Sequence, residues 1–96
     1  MRLEFSPKSL ADLQSILEFI ARDKPRAAVH FVDQLEQRCR LLTEFPHLGT
    51  SREDLVAALR VFSYRGYGIY YRSLADCVRI ERVLHPGLDV REDLFE

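Results

Sequence analysis

Hydrophobic positions along the chain follow two different periods, and the period changes near Leu59. Before that residue, apolar side chains recur every three or four positions in two stretches, which is typical of amphipathic helices. After it, β-branched and aromatic residues crowd three short runs separated by glycine or polar residues, which is typical of consecutive hairpins. These runs predict a three-stranded antiparallel meander over Leu59–Tyr64, Tyr67–Arg72 and Val78–Leu84.

The two helical stretches have clear start and stop signals. Ser6 can cap the first helix, and Pro7 suits a first turn, where its missing N–H is not needed. Pro25 ends that helix and opens the second, which runs to about Glu44. Since the break is short, the helices form an antiparallel hairpin. The predicted apolar stripes are Leu10, Leu13, Ile16, Leu17 and Ile20 in the first helix, and Ala28, Phe31, Val32, Leu35, Cys39 and Leu42 in the second.

The remaining segments complete the predicted order of elements. Met1–Phe5 alternates as a short half-buried strand. Between the second helix and the meander, Leu48-Gly49 marks a turn, and Ser51–Asp54 reads as a polar loop or one helical turn. Val90–Phe95 is a short terminal helix or an arm. The prediction is a single α+β domain over residues 1–96, in the order β-α-α-β-β-β, with a helical hairpin packed on one face of a small antiparallel sheet.

Composition limits the classes of partner. Hydrophobic residues make up 47% and charged residues 30% of the 96 residues, which is typical of a globular domain. The formal net charge is −1, whereas proteins that bind nucleic acid through phosphates usually carry a clear positive excess. Positive charge is only local, because Leu59–His85 holds five arginines and two acids. We therefore expect no direct contact with nucleic acid.

Targeting signals and metal motifs are also missing from the pattern. The N-terminal residues lack the apolar run of a signal peptide, and no stretch could span a membrane, so we expect a cytoplasmic protein without membrane contact. Cys39 and Cys77 are interpreted as buried small hydrophobic residues rather than as a disulfide. No pair of cysteines or cluster of histidines has metal-ligand spacing. We predict no metal and no cofactor.

Six short segments, in their order and spacing, resemble the RelE/ParE toxin superfamily, and the ParE branch in particular. Each segment alone is weakly specific, but together they cover nearly the whole chain and agree with the predicted order of elements. They are Ala11-Asp12-Leu13, Pro25…Ala27-Ala28…Phe31, Leu42…Phe45-Pro46…Gly49, Leu59-Arg60, Tyr67…Ile69…Tyr71 and Arg82-Val83-Leu84-His85.

This resemblance implies the toxin of a type II toxin–antitoxin pair, neutralised by a small cognate antitoxin that wraps it with an extended or helical segment. It also implies two candidate activities, because a fold alone does not choose between functions. RelE-like members are ribosome-dependent endoribonucleases that cut messenger RNA, whereas ParE-like members inhibit DNA gyrase and trap it on DNA. An inactive homologue that only binds antitoxin is a third interpretation.

The chemistry of RNA cleavage separates the first two activities. Attack by the 2′-hydroxyl needs a base, cations for the phosphorane charge and an acid for the leaving group. The resemblance places the lysines of RelE-like nucleases at Leu55–Ala58, which holds none, and no lysine follows Lys24. The region where RelE-like nucleases have their C-terminal tyrosine reads Asp93–Phe95. Arg60 is the only residue here at a position that matches one of their catalytic groups. The resemblance therefore favours a gyrase inhibitor over a nuclease, and so a protein that is not an enzyme.

His85, at the end of the last predicted strand, has two interpretations. Some nucleases of this superfamily use a terminal histidine with a glutamate as acid and base, and Glu81 or Glu53 are the candidates here. The simpler interpretation, which we favour, is that His85 hydrogen-bonds the backbone at a turn.

Contacts with gyrase or antitoxin are assigned to the central stretch and the terminal segment. Arginines on strands suit structural roles equally well, stacking on tyrosine or pairing with an acid. Tyrosines divide between core and surface. We expect the terminal segment to carry little of the core, and the same exposed surface to favour a homodimer without antitoxin. The candidates are Arg60, Tyr64, Arg65, Tyr67, Arg82, His85, Arg91, Leu94 and Phe95.

Overall fold

The structure, a computed structural model, describes residues 1–96 and contains two helices on one face of a five-stranded sheet. None of its helices combines the length and apolarity that crossing a membrane requires. In chain order the elements are β1 (Arg2–Phe5), α1 (Pro7–Ala21), α2 (Pro25–Glu44), β2 (Thr50–Ser51), β3 (Leu59–Tyr64), β4 (Tyr67–Ser73), β5 (Cys77–Leu84) and a 3-10 helix (Glu92–Phe95).

The sheet has the strand order β1-β5-β4-β3-β2 and is mixed. The predicted antiparallel meander of β3, β4 and β5 is confirmed. The prediction of an antiparallel sheet is wrong at one edge, because β1 pairs with β5 in parallel, with Arg2 opposite Cys77 and Phe5 opposite Ile80. Tight turns force neighbouring strands to be antiparallel. No such turn joins β1 to β5, so the direction of β1 is not fixed in this way.

The connecting region contains a strand that the sequence pattern did not reveal. Thr50 and Ser51 pair with Val61 and Arg60 as the other edge of the sheet. A turn follows at Arg52, whose carbonyl accepts the backbone N–H of Leu55. Two residues are too few to show the alternation that identifies a strand, so this edge was predicted only as a loop or a turn.

Both helix starts form as predicted, but the inner face of α1 differs from the predicted stripe. The Ser6 hydroxyl accepts the Ser9 N–H at 3.0 Å, and the Ser9 hydroxyl donates to the Ser6 carbonyl at 2.8 Å. Ser9 is buried in this way, while Leu10, placed in the stripe by its apolarity, is 54% exposed. The capping geometry at Ser6 explains the difference, because it turns Ser9 inward.

The β3–β4 turn consists of Arg65 (φ 50°) and Gly66 (φ 86°), both in the left-handed region. Two positive φ values in succession are the geometry of the type I′ hairpin turn. Glycine adopts it without steric cost, whereas Arg65 carries a modest strain. The turn holds the Arg65 side chain out into solvent at the end of the sheet.

The main core lies between the helical hairpin and the sheet. Ten buried residues form one cluster: Leu13, Ile16, Leu35, Cys39, Leu42, Ile69, Tyr71, Val78, Ile80 and Val83. Neither cysteine is in a disulfide, as expected. Burial raises the pKa of the Cys39 thiol to about 12, so this side chain stays protonated and acts as a small hydrophobic group.

A smaller cluster lies on the opposite face of the sheet, where Leu59, Tyr70 and Leu84 are buried. The C-terminal segment supplies part of its cover. The 3-10 helix has no fully buried residue, as expected for a terminal segment, yet Leu94 and Phe95 pack against this cluster. The helix is therefore a cover for one sheet face rather than a free arm.

Candidate interaction site

An aromatic array lies at the end of the sheet where β3 turns into β4. The Phe31 ring, from α2, lies 5.8 Å from the Tyr64 ring and 5.2 Å from the Tyr67 ring, centroid to centroid. Tyr67 in turn meets His85 edge-on at 6.0 Å. We call these four residues the aromatic array. Three of them were predicted as contact residues, and the structure brings those three together.

Arginines lie over the aromatic rings of this region. The Arg38 guanidinium is 4.7 Å from the centroid of Tyr64, and that of Arg65 is 5.8 Å from the same ring. Arg22 lies 6.0 Å from the ring of Phe19, at the end of α1. We call Arg22, Arg38 and Arg65 the cationic rim. None of the three forms a salt bridge within the chain, so their charge is available to a partner.

Two grooves flank the contact between Phe31 and Tyr67. The first groove, of about 300 Å³, lies between α1 and the end of β5 and is lined by residues that include Phe19, Tyr67 and His85. The second groove, of about 260 Å³, lies at the turn between the helices and is lined by residues that include Phe31 and Tyr64. Apolar clefts with a few polar groups are the usual form of a binding surface.

Arg82 is mostly shielded from solvent and is bonded within the chain, where it also lines the first groove. Its Nε and Nη2 atoms donate to the two carboxylate oxygens of Asp12 at 2.8 Å, and its Nη1 donates to the Leu94 carbonyl at 2.8 Å. The hydrogen bond to Asp12 raises the pKa of the Arg82 guanidinium. Asp12 also accepts the Val83 N–H at 2.9 Å. This arrangement joins α1, β5 and the C-terminal segment.

Arg60 lies in a different region, beside the loop that follows α2. Its Nη1 donates to the Gly49 carbonyl at 3.1 Å. The Tyr71 hydroxyl accepts the Gly49 N–H at 2.9 Å and donates to the Pro46 carbonyl at 2.8 Å. Burial raises the pKa of Tyr71. Gly49 has no room for a side chain, since a Cβ there would be 2.7 Å from the Val61 carbonyl oxygen.

Arg60 also lines an open cleft of about 240 Å³, together with His47 and Glu53. Glu53 accepts the backbone N–H of Ala58 at 3.1 Å, and Ala58 has a left-handed φ of 64°. The cleft thus contains an imidazole, a carboxylate and a guanidinium. The carboxylate and the guanidinium already have partners within the chain.

The glutamates considered as partners for His85 lie elsewhere. Glu81 pairs with Arg72 at 2.6 Å and with Arg79 at 3.4 Å. Glu53 shares its cleft with His47 instead. His85 lies against Tyr67, so its contact is aromatic.

The predicted site residues therefore divide into three groups. Tyr64, Arg65, Tyr67 and His85 come together at the grooves. The second group lies at the C-terminal segment: Arg82 donates to the Leu94 carbonyl, the Phe95 ring lies 5.3 Å from the Tyr70 ring, and Arg91 is exposed just before them. Arg60 lies apart from both groups.

The prediction missed Phe31 and Arg38 as surface groups. Their spacing of seven residues places them on one face of α2 and was the available signal. No group of three metal-ligand side chains is positioned to hold a metal ion.

Comparisons with known proteins agree with this architecture. The family model described as "ParE toxin of type II toxin-antitoxin system, parDE" matches residues 3–87. This chain belongs to the ParE toxin family. Membership makes this ParE-family chain the toxin of a type II toxin–antitoxin system, with a cognate antitoxin as its partner.

Two known proteins are similar to this chain. Toxin RelE3 of Caulobacter vibrioides is 29% identical over 84 residues, which cover 86% of this chain and 91% of that protein. A solved structure described as "Chromosomal ParDE TA system from P. aeruginosa" matches with a TM-score of 0.78 and 20% identity, over 90% of this chain and 96% of the other. At that identity the second likeness shows the fold alone.

Proposed function

We propose that this ParE-family toxin inhibits DNA gyrase through protein–protein contact and is not a nuclease. One observation carries the choice between the two activities: the arginines of β3, β4 and β5 are bonded within the chain, whereas Arg22, Arg38 and Arg65 form no salt bridge and lie over aromatic rings. Cleavage of RNA needs cations that face the developing phosphorane charge. A surface of tyrosines and arginines is instead typical of protein interfaces.

The donors of Arg82 illustrate the point. Nε, Nη1 and Nη2 all have partners within the chain. Redirecting this side chain toward a phosphate would leave the half-buried Asp12 carboxylate without its partner, which is costly. Arg65 is the opposite case, since it projects from an exposed turn and pairs with no acid. We propose Arg65, His85, Arg91 and the end of the chain as the contacts with gyrase.

A supercoiling assay with purified gyrase tests this proposal. The toxin is expected to block supercoiling, or to stabilise the cleaved complex, and to leave naked DNA unchanged. Arg65→Ala removes an interface arginine, and a hot spot of this type is worth about 2 kcal/mol, roughly a thirtyfold rise in the inhibitory concentration. Arg40→Ala, at an exposed arginine of α2 that lines neither groove, is the matched control. Absence of inhibition by the intact toxin would disprove the gyrase activity.

A RelE-like nuclease is the second candidate, and the cleft with His47, Glu53 and Arg60 is the observation in its favour. Such a cleft holds the types of side chain that acid–base cleavage uses. We expect no codon-specific cutting of messenger RNA when the toxin is added to translating ribosomes. Cutting at the ribosomal A site that is lost in Arg60→Ala, His47→Ala or His85→Ala would overturn the choice of gyrase.

The setting of this activity is also a proposal. We propose that the toxin acts in the cytoplasm, where gyrase and the antitoxin are available, and that it forms a homodimer when the antitoxin is absent. Light scattering of the isolated toxin tests the second point. Induced expression in a host without the antitoxin separates an active toxin from an inactive homologue, because only the active protein arrests growth.

A further inference from the structure

We infer that Asp12 and Arg82 are positioning residues, which hold the end of β5 and the C-terminal segment (residues 86–96) in one fixed arrangement for contact with gyrase. The inference rests on the proposed function, which assigns that contact in part to His85, Arg91 and the end of the chain. Neither Asp12 nor Arg82 is an exposed residue. Their role is to act through the residues that touch the target.

The C-terminal segment has little backbone structure to hold it in place. It leaves β5 through Pro86 and Gly87 and contains a single 3-10 helix of four residues. Its one backbone hydrogen bond to the preceding part of the chain runs from the Leu88 N–H to the His85 carbonyl, at 3.4 Å. A segment with so few backbone bonds opens readily. Its position therefore depends on side-chain contacts.

Apolar contacts cover the sheet but do not define one position for the segment. Val90, Leu94 and Phe95 pack against the smaller cluster, and none of the three is fully buried. Hydrophobic attraction has no preferred direction, so contacts of this kind permit the segment to slide or turn. Lys8 donates to the Glu96 carbonyl, but it is exposed and its side chain is flexible. A directed and shielded bond is needed as well.

The Arg82 guanidinium supplies this directed bond. Its Nη1 donates to the Leu94 carbonyl at 2.8 Å, while Nε and Nη2 donate to the two carboxylate oxygens of Asp12, also at 2.8 Å. Because the guanidinium is planar and rigid, fixing two nitrogens on Asp12 also fixes the direction of the third. The side chains of Arg82 and Asp12 are only 17% and 14% exposed, and a shielded hydrogen bond is stronger than one in water.

Asp12 also holds the other part of the proposed gyrase contact. Its Oδ2 accepts the Val83 N–H at 2.9 Å, two positions before His85. One carboxylate on α1 thus sets the end of β5 directly and sets the 3-10 helix through Arg82. Contact residues that are held in place before binding lose less conformational entropy when they bind. The pair should therefore matter for inhibition even though it is largely shielded from a partner.

Arg82→Lys tests the directed bond in the isolated toxin. An ammonium keeps the positive charge beside Asp12, but it cannot hold both carboxylate oxygens and also donate to Leu94 as the guanidinium fork does. The N–H groups of Leu94 and Glu96 are bonded within the 3-10 helix. Their hydrogen exchange is expected to become about tenfold faster, as for the loss of one hydrogen bond to a charged group.

Arg79→Lys is the matched control. Arg79 is also an arginine of β5 and pairs with Glu4 and Glu81, without a hydrogen bond to residues 86–96. Its substitution is expected to leave the exchange of the 3-10 helix unchanged. Asp12→Asn is the second variant, because it keeps an acceptor for the Val83 N–H and weakens the hold on Arg82. It should change the exchange in the same direction as Arg82→Lys.

The second measurement is inhibition of gyrase supercoiling by the full chain. Arg82→Lys and Asp12→Asn are each expected to raise the inhibitory concentration about tenfold, since the segment must then be ordered during binding. Leu35→Ala controls for lost stability, because Leu35 is buried on the opposite face of the sheet. It should be less stable than both variants and still inhibit like the wild type. Circular dichroism checks that every variant is folded under the assay conditions.

The two measurements together separate the possible outcomes. Lost inhibition with unchanged exchange would show that Arg82 contacts gyrase directly, and it would overturn the positioning role. Faster exchange with full inhibition would overturn that role too, with gyrase still the target. Lost inhibition in Leu35→Ala, at the level of Arg82→Lys, would assign the effect to stability alone. A wild-type toxin that does not inhibit supercoiling would overturn the proposed function and this inference together.

Discussion

The two faces of the sheet are stabilised in different ways. The face under the helical hairpin buries ten residues in one apolar cluster, whereas the opposite face buries three. Charged side chains supplement the smaller cluster, since Glu81 pairs with Arg72 and Arg79. The C-terminal segment is joined to this side through the bond from Arg82 to the Leu94 carbonyl.

The two faces therefore contribute unequally to the free energy of folding. Close apolar packing gives most of the free energy of folding, and it cannot be rearranged without large loss. Partly exposed ion pairs and a four-residue cover contribute much less. We therefore expect substitutions on the hairpin side to change the free energy of unfolding most, and substitutions on the opposite side to change it by progressively smaller amounts.

The largest effect is expected from Leu35→Ala. Leu35 is fully buried between α2 and the sheet, and a cavity at such a site destabilises a protein by about 3 kcal/mol. Leu84→Ala, in the smaller cluster, is expected to cost about 2 kcal/mol. Urea unfolding of the two variants measures the difference. Equal losses would show that both faces of the sheet contribute alike to the free energy of unfolding.

An intermediate effect is expected from Asp12→Ala. The substitution leaves the Arg82 guanidinium and the Val83 N–H without their acceptor, and both residues are largely shielded from water. We expect a loss of about 2 kcal/mol, below the range for fully buried pairs because some solvent reaches this one.

A double-mutant cycle with Arg82→Ala tests the assignment of that loss. If the pair accounts for it, the second substitution should add little to the first. Additive losses would show that Asp12 and Arg82 act independently. Asp12→Asn, which keeps an oxygen acceptor for Val83, should retain part of the stability.

The smallest effect is expected from Phe95→Ala. Phe95 is half-buried and packs on Tyr70, so its truncation should cost about 1 kcal/mol. Leu88→Ala, at an exposed position that lies outside the smaller cluster, should be nearly neutral and serves as the control. A loss above that of Leu35→Ala would show that the C-terminal segment belongs to the main folding unit.

Much of this fold followed from local signals. Ser6-Pro7 and Pro25 set the helix starts, and Arg65-Gly66 set the β3–β4 turn, because each acts on its own backbone. Long-range pairing had no such signal. The direction of β1, and the existence of β2, depend on partners far along the chain.

The site was less predictable for a related reason. Between Tyr70 and Tyr71 of β4 the register with β5 shifts, so that Glu81 is an extra residue. Such a bulge reverses the alternation of side chains beyond it. Val83 therefore faces the main core, as Ile80 does three positions earlier in the strand. A sequence pattern with period two cannot anticipate that shift, nor the position of Arg82 that results.

The contacts that Ser6 and α1 make with the uncovered edge of β5 affect self-association of the chain. β1 covers only the first half of β5, and an uncovered strand edge is a template for pairing with other chains. Here Ser6 donates to the Ile80 and Glu81 carbonyls, and Asp12 accepts the Val83 N–H. Ser6, at the start of α1, and the Asp12 side chain thus occupy the groups that an incoming strand would use. Substitution of Asp12 should consequently promote fibrous aggregation as well as unfolding.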